Sequence, residues 1–267
     1  MAEQNRRLWA LILGASSGFG EATALELARL GFDIFGVHLD RRATLPHVEE
    51  VMAGIRAMRR EAAFFNVNAA DPEKRKEVMA QVRARCDADP DQPGTVCVLL
   101  HSLAFGTLKP FVNAGDTVAQ QQMEMTLDVM AHSLVYWVQD LLACRLLERG
   151  ARIFAMTSSG GTRVMPSYGP VSAAKAALES HIRQLAMELA PLGITANAIR
   201  AGVTDTPALR KIPGNEKLIE FARQRNPHGR LTTPQDVAAA IGVLSRPETY
   251  WVTGNVIGVD GGEDIAG

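Results

Sequence analysis

Residues 8–20 read LWALILGASSGFG: six apolar residues run without a break into a turn carrying three glycines, and a helical pattern begins at once near Glu21. A short run that is apolar throughout suits a parallel strand buried on both faces. Gly14, Gly18 and Gly20 let the backbone turn tightly and approach a pyrophosphate closely, with the N-terminus of the next helix behind it. Ser16, Ser17 and Phe19 share that turn and join the three glycines as candidate cofactor-binding residues. The spacing is Gly-x3-Gly-x-Gly, not the general Gly-x-Gly-x2-Gly, so the strand–turn–helix context carries the reading. Residues 14–18 also match Gly-x-Ser-x-Gly, the nucleophile elbow of α/β-hydrolases. That match fails on position. An oxyanion-hole loop must come from an earlier strand, only one strand can precede Ser16, and no His or Asp stands in a recognisable triad context.

Outward from this turn, the pattern of short apolar runs and longer helical stretches repeats. Strands are predicted at 8–13, 33–39, 62–67, 95–101, 152–158, 195–199 and 255–260, and helices at 21–30, 47–60, 72–86, 119–148, 172–189 and 234–244. The alternation predicts an α/β fold, a single-domain Rossmann-type doubly wound parallel sheet over residues 1–267. No repeat, low-complexity tract or linker interrupts it. The one long irregular region, about 203–228, is rich in Pro, Gly and charge, and a loop of that length in a compact domain reads as a substrate-binding lid.

Composition narrows the class. A chain of 267 residues with 47% hydrophobic and 21% charged residues suits one sizeable globular core. A formal net charge of −1 gives no broad pull toward nucleic acid or an anionic membrane. Cys86, Cys97 and Cys144 show no paired or metal-like spacing, the six histidines do not cluster, and no metal is expected. The run LWALIL is too short for a signal peptide, and no stretch approaches the roughly 20 apolar residues of a spanning helix. A cytoplasmic enzyme is expected.

The segment PSYGPVSAAK, residues 166–175, holds the chemistry. Tyr168 and Lys175 stand seven residues apart at the start of an Ala-rich helix, as an acid and its organiser would in a nicotinamide reductase. A phenol near pKa 10 needs a neighbouring cation to be a useful acid at neutral pH. Taken alone, Lys175 reads as a solvated helix lysine, because Ala173, Ala174, Ala176 and Ala177 are too small to shield it. Gly169-Pro170 follows the tyrosine, which places Tyr168 just before the helix and makes its position depend on the loop RVMPSYG.

On these motifs the chain resembles the short-chain dehydrogenase/reductases over nearly its whole length: GASSGFG, the Tyr168/Lys175 pair, Gly202 to Thr206 after the sixth strand, and VDGG at 259–262. The resemblance implies that Lys175 bonds the nicotinamide ribose and lowers the tyrosine pKa, while Tyr168 donates to a substrate oxygen. A common member of the family has its tyrosine four residues before the lysine, where this chain has Val171; HSLA replaces the Asn-Asn-Ala-Gly after strand four, and Met130 stands at the structural asparagine of helix four. The combination is similar to one subgroup, the bacterial enoyl-acyl-carrier-protein reductases, with Tyr-x6-Lys and a His-Ser-Ile-Gly-Phe motif. The NADPH-using branch, which also carries a Ser after strand five, is especially similar.

Bond geometry gives the longer spacing a reason. Hydride delivered to the β-carbon of an enoyl thioester lands two bonds farther from the oxygen than hydride delivered to a ketone carbon. The tyrosine hydroxyl must then sit roughly 2.5 Å farther from the nicotinamide. Three residues earlier along a helix is about 4.5 Å, so a displaced tyrosine can make up that distance while the lysine stays on the ribose.

By the same resemblance, Ser102, Leu103, Ala104, Asn66, Val67, Gly202, Val203, Thr204 and Thr206 contact the cofactor, Thr206 through the carboxamide, and Phe105 and Gly106 line the acyl pocket. For Phe105, plain core packing is the competing reading. Ser158 either helps hold the thioester oxygen or merely ends its strand. At the end of strand two, Asp40, Arg41 and Arg42 adjoin, and the NAD-selecting acidic position falls on His38. That leaves Arg41 and Arg42 for a 2′-phosphate and favours NADPH, with NADH possible. The expected substrate is an enoyl thioester on acyl carrier protein or CoA, handled by a homotetramer or homodimer that pairs through the helices of 119–148 and 172–189. A carbonyl reductase acting on a ketone, 3-oxoacyl or steroid substrate is the alternative, and a non-catalytic cofactor-binding sensor the third reading.

Overall fold

The computed structural model describes residues 6–112, 115–212 and 214–266. Seven parallel strands form one sheet in the order β3-β2-β1-β4-β5-β6-β7. They are β1 Arg7–Leu13, β2 Asp33–His38, β3 Ala62–Asn66, β4 Gly94–His101, β5 Arg152–Thr157, β6 Thr195–Ala201 and β7 Val256–Val259. Each lies within about two residues of its sequence expectation; for the central strands this is because a strand buried on both faces is apolar over most of its length, whereas β7, at the sheet edge, is only partly buried.

The helices are α1 Gly18–Arg29, α2 Leu45–Ala57, α3 Pro72–Cys86, α4 Gln120–Leu127, α5 Ser133–Ala143, α6 Gly169–Leu189, α7 Asn215–Arg225 and α8 Pro234–Leu244. Alternate strand residues feed two cores. Leu11, Leu13 and Phe35 face α3, α5 and α6, whereas Ala10, Ile12 and Ile34 face α1, α2 and α8. Trp137, fully buried on α5, donates its indole N–H to the Ala69 carbonyl at 2.9 Å and pins that helix layer to the loop after β3.

Two expectations need correction. The helix expected over 119–148 ends at Ala143 and is broken in the middle by a π-turn, Asp128–His132, which contains Met130. Apolar periodicity alone does not register a π-turn, since one extra residue in the turn leaves both flanking faces apolar. The region expected to be irregular carries α7 and a short 3-10 turn at Leu209–Lys211. Glu216, Lys217, Glu220, Arg223 and Arg225 make α7 polar, and only Ala222 on it is buried, so its apolar signal was weak. Among the described residues no helix is long and apolar enough to cross a membrane.

Candidate active site

The strand order reverses between β1 and β4, and the crevice at the carboxyl ends of those strands is where a doubly wound sheet binds its ligand. The glycine turn and the HSLA segment meet there. Ser102 donates its backbone N–H to the Leu13 carbonyl at 2.8 Å, and a Cβ on Gly14 (φ +91) would run into the Ser102 carbonyl oxygen, with Leu103 just beyond. A Cβ on Gly20 would collide with the Gly14 carbonyl. Only glycines allow this closeness. Ser17, the N-cap of α1, makes no side-chain cap hydrogen bond, so the first N–H groups of α1 stay uncapped toward the crevice. A glycine cradle with uncapped helix donors fits a pyrophosphate.

The later segments converge on the same turn. A Cβ on Gly18 would lie 3.4 Å from Thr206, which is buried and accepts the Leu209 N–H on Oγ1. Thr204, also buried, donates its hydroxyl to the Gly202 carbonyl at 2.9 Å, and Val203 gives its N–H to Glu263. Asn66, at the end of β3, exchanges hydrogen bonds with the Asp40 backbone, and Val67 donates to the His38 carbonyl.

Asp40 is turned inward. Its carboxylate is hydrogen-bonded by Ser16, Thr44 and His38, which outweigh its partial burial and hold it below the usual carboxylate range. Sequence reasoning gave that position to His38, which is buried beneath it. The guanidiniums of Arg41 and Arg42 are exposed and make no hydrogen bond or ion pair among the described residues.

Tyr168 is the N-cap of α6, as the Gly-Pro pair requires, and its carbonyl accepts the first helical hydrogen bond from Ser172 at 2.8 Å. Ser167 before it takes φ 59, a left-handed conformation uncommon for a residue with a side chain, so the loop is bent sharply to deliver the ring. The ring is buried, and burial pushes the phenol above its ordinary pKa, not below it as the resemblance implies, while a hydrogen bond with Ser158 pulls the other way. Gly160 lies against this ring: a Cβ there would collide with it and come 2.8 Å from Met165.

Lys175 is buried, so it is not the solvated helix lysine that its alanine neighbours alone would suggest. The shielding comes from across the fold, not from its alanine neighbours. Nζ donates to the Met156 carbonyl at 2.7 Å, and burial pushes the ammonium down to about 8, against the favourable charge of Glu179. His101 is fully buried and driven down to about 3 by burial and by the charge of Lys175. It bonds Ser133 Oγ at 2.9 Å and is neutral at physiological pH.

Gly106 does not stand free beside a pocket. A Cβ on it would lie 2.7 Å from Met130 Sδ, 2.8 Å from Thr126 and 2.9 Å from Val171. The two positions that depart from the common pattern, Met130 and Val171, therefore share one buried apolar contact. Phe105 is 56% exposed, which excludes core packing, and Ala104 is exposed with it. Gly160, Glu179 and the Met156 carbonyl were missed, and the only sequence signal for any of them was the Gly160-Gly161 pair after β5. Among the described residues no group of three or more His, Cys, Asp or Glu could hold a metal ion.

The family model described as enoyl-(acyl carrier protein) reductase matches residues 14–263. A 1-cyclohexenylcarbonyl-CoA reductase of Streptomyces collinus is 29% identical over 98% of this chain and 88% of its own length. A 3-oxoacyl-[acyl-carrier-protein] reductase of Thermotoga maritima is 27% identical over 94% of this chain and 96% of its own. Among solved structures, an NADH enoyl-[acyl-carrier-protein] reductase of Aquifex aeolicus superposes with a TM-score of 0.83 at 25% identity, covering 98% of this chain and 97% of that one. A short-chain dehydrogenase of Burkholderia cenocepacia in complex with NADP gives 0.80 at 27% identity, covering 98% of each.

Proposed function

Because this chain belongs to the short-chain dehydrogenase/reductase family, a nicotinamide-dependent oxidoreductase by that membership, we propose that it reduces the 2,3 double bond of an enoyl thioester in fatty acid biosynthesis. The observation that carries this reading is the surroundings of Val171. Four residues before the lysine, where a ketone reductase keeps its acid, the side chain is buried and packed with Met130 against Gly106. The one buried phenol in reach of that helix start is Tyr168, set back as β-carbon chemistry requires. A bound nicotinamide supplies the hydride. Tyr168 donates to the thioester oxygen as enolate charge builds there, with Ser158 behind it as a hydrogen-bond partner. Lys175 holds the ribose, and Gly14, Gly18, Gly20 and the start of α1 hold the pyrophosphate. The segment 203–228 closes over the acyl chain, which arrives on acyl carrier protein or CoA, and the faces of α4, α5 and α6 pair copies into a homodimer or homotetramer.

NADPH is our cofactor assignment. The Asp40 carboxylate is already engaged by Ser16, Thr44 and His38, whereas Arg41 and Arg42 are free to meet a 2′-phosphate. A crotonyl-thioester assay with each cofactor tests both points. We expect oxidation of NADPH at a KM about tenfold below that of NADH, with the preference lost in Arg41→Ala/Arg42→Ala. Oxidation of neither cofactor removes the enoyl reading, and activity on a 3-oxoacyl thioester alone establishes the ketone reductase that the Thermotoga relative suggests. A preference for NADH returns the 2′-hydroxyl to Asp40.

Gly160→Ala is expected to push the Tyr168 ring out of place. kcat should fall about tenfold while the cofactor dissociation constant, read by fluorescence titration, stays within about twofold. An unchanged kcat would show that the ring position does not limit turnover.

A further inference from the structure

After β7 the chain doubles back through Asp260-Gly261-Gly262, with both glycines at positive φ (61 and 83). The Asp260 carboxylate shapes the turn by accepting the N–H groups of Gly262 at 3.0 Å and Asp264 at 3.2 Å. The turn then presents Glu263 and Asp264 to three segments that lie far apart in sequence. Glu263 accepts the Val203 N–H at 3.0 Å, at the entrance to the 203–228 segment. Asp264 Oδ1 pairs with Arg163 at 2.8 Å, and its Oδ2 with Arg200 at 3.0 Å. The Asp264 carbonyl takes further N–H groups from Arg163 at 2.7 Å and Arg225 at 3.3 Å, and Arg225, the last residue of α7, also donates to the Ala266 carbonyl at 2.6 Å.

We propose that Asp264 is a positioning residue whose carboxylate ties the loop that carries Tyr168, through Arg163, to the end of β6, from which the 203–228 segment departs, through Arg200. The inference rests on the assignment of Tyr168 and that segment to substrate. Arg163 stands five residues before Tyr168 in the loop bent at Ser167, and Arg200 stands one residue before the end of β6. One carboxylate shared by two guanidiniums couples the two segments, so that neither moves without the other. The Arg163 side chain is 42% exposed, and an exposed ion pair would contribute little, but Asp264 keeps only 18% of its side chain exposed and Arg200 has a buried Nε without a hydrogen-bond partner among the described residues. Without Asp264, the Arg200 guanidinium loses the one carboxylate paired with it among the described residues.

The test uses the full chain with Asp264→Ala, Asp264→Asn, Arg163→Ala and the Asp264→Ala/Arg163→Ala double variant. Two readouts are taken: trypsin cleavage at Arg210 and Lys211, and steady-state kinetics on whichever thioester or ketone the parent turns over. Asp264→Ala is expected to speed cleavage within 203–228 about fivefold and to raise the substrate KM about tenfold, with the cofactor KM within about twofold. Asp264→Asn, which keeps one acceptor oxygen, should fall between, and the double variant should lose less than the sum of the two single changes, because both remove the Arg163–Asp264 ion pair. Parent-like cleavage and kinetics in Asp264→Ala overturn the proposal. So does a lowered Tm with parent-like KM and cleavage of the folded protein, which assigns Asp264 to stability alone. If the parent turns over no enoyl thioester, the function proposed above fails, yet the cleavage rates still judge Asp264.

Discussion

Tyr168→Phe is expected to lower kcat on an enoyl thioester by about a hundred- to a thousand-fold, the usual loss when one preorganised donor to a developing oxyanion is removed. The substitution deletes a single hydroxyl from a buried ring, so the packing against Gly160 and Met165 is kept. Loss of the Ser158 hydrogen bond should cost about 1 kcal/mol of stability, small beside the catalytic effect. The cofactor dissociation constant should stay at its parent value, since the phenol meets the substrate rather than the ribose. Burial holds the phenol above its ordinary pKa, so it remains a proton donor through neutral pH. The parent kcat should therefore show no fall due to Tyr168 below about pH 10. A Tyr168→Phe enzyme that keeps half the parent kcat would remove Tyr168 from the chemistry.

The second large effect belongs to Lys175. Lys175→Met should reduce kcat/KM by about a hundredfold or more, chiefly through a weaker cofactor complex, because the ammonium that holds the ribose is gone. Its stability effect should have the opposite character. The folded protein pushes this ammonium from 10.5 down to about 8, so below pH 8 the native state carries a buried charge that the unfolded chain solvates freely. The unfolded state binds more protons between pH 8 and 10.5, and parent stability due to Lys175 must rise with pH across that window. The full effect is of order 3 kcal/mol. Methionine removes the charge but leaves the Met156 carbonyl without its donor, which costs about 1–3 kcal/mol, so the two terms nearly cancel at pH 7. Denaturant melts from pH 7 to 10.5 should show a rising parent curve and a flatter variant curve. Cofactor affinity of the parent should also weaken as pH rises through about 8, where the ammonium is lost. Parallel stability curves for the two proteins would contradict this account of Lys175.

Much of the site was legible before the fold was known, though unevenly. The glycine turn was readable because Gly14, Gly18 and Gly20 answer a local demand, tight turning and close approach, that no other residue meets. Tyr168 was readable as lying just outside its helix because Pro170 constrains its own neighbours. Asp40 was read less well. Its count along the chain sets it only beside the arginines, whereas its inward turn depends on Ser16, Thr44 and His38. Helix α7 was missed because its one buried residue, Ala222, leaves almost no apolar stripe.

Readable from the sequence were the succession of seven strands along the chain, the helices α1, α2, α3, α6 and α8, the phosphate-binding turn, and a tyrosine displaced from Val171 to Tyr168. Each of these is written in neighbours within a few residues, through apolar periodicity and the special backbones of Gly and Pro. The tertiary structure alone decided that Lys175 is buried on the Met156 carbonyl, that Gly160 seats the Tyr168 ring, and that Val171 and Met130 close one apolar contact at Gly106. It alone brought Asp264 between Arg163 and Arg200. Burial and charge pairing are set by groups that meet only once the sheet has closed over its helices, and residues far apart along the chain, 101 positions for Arg163 and Asp264, carry no local mark of that meeting.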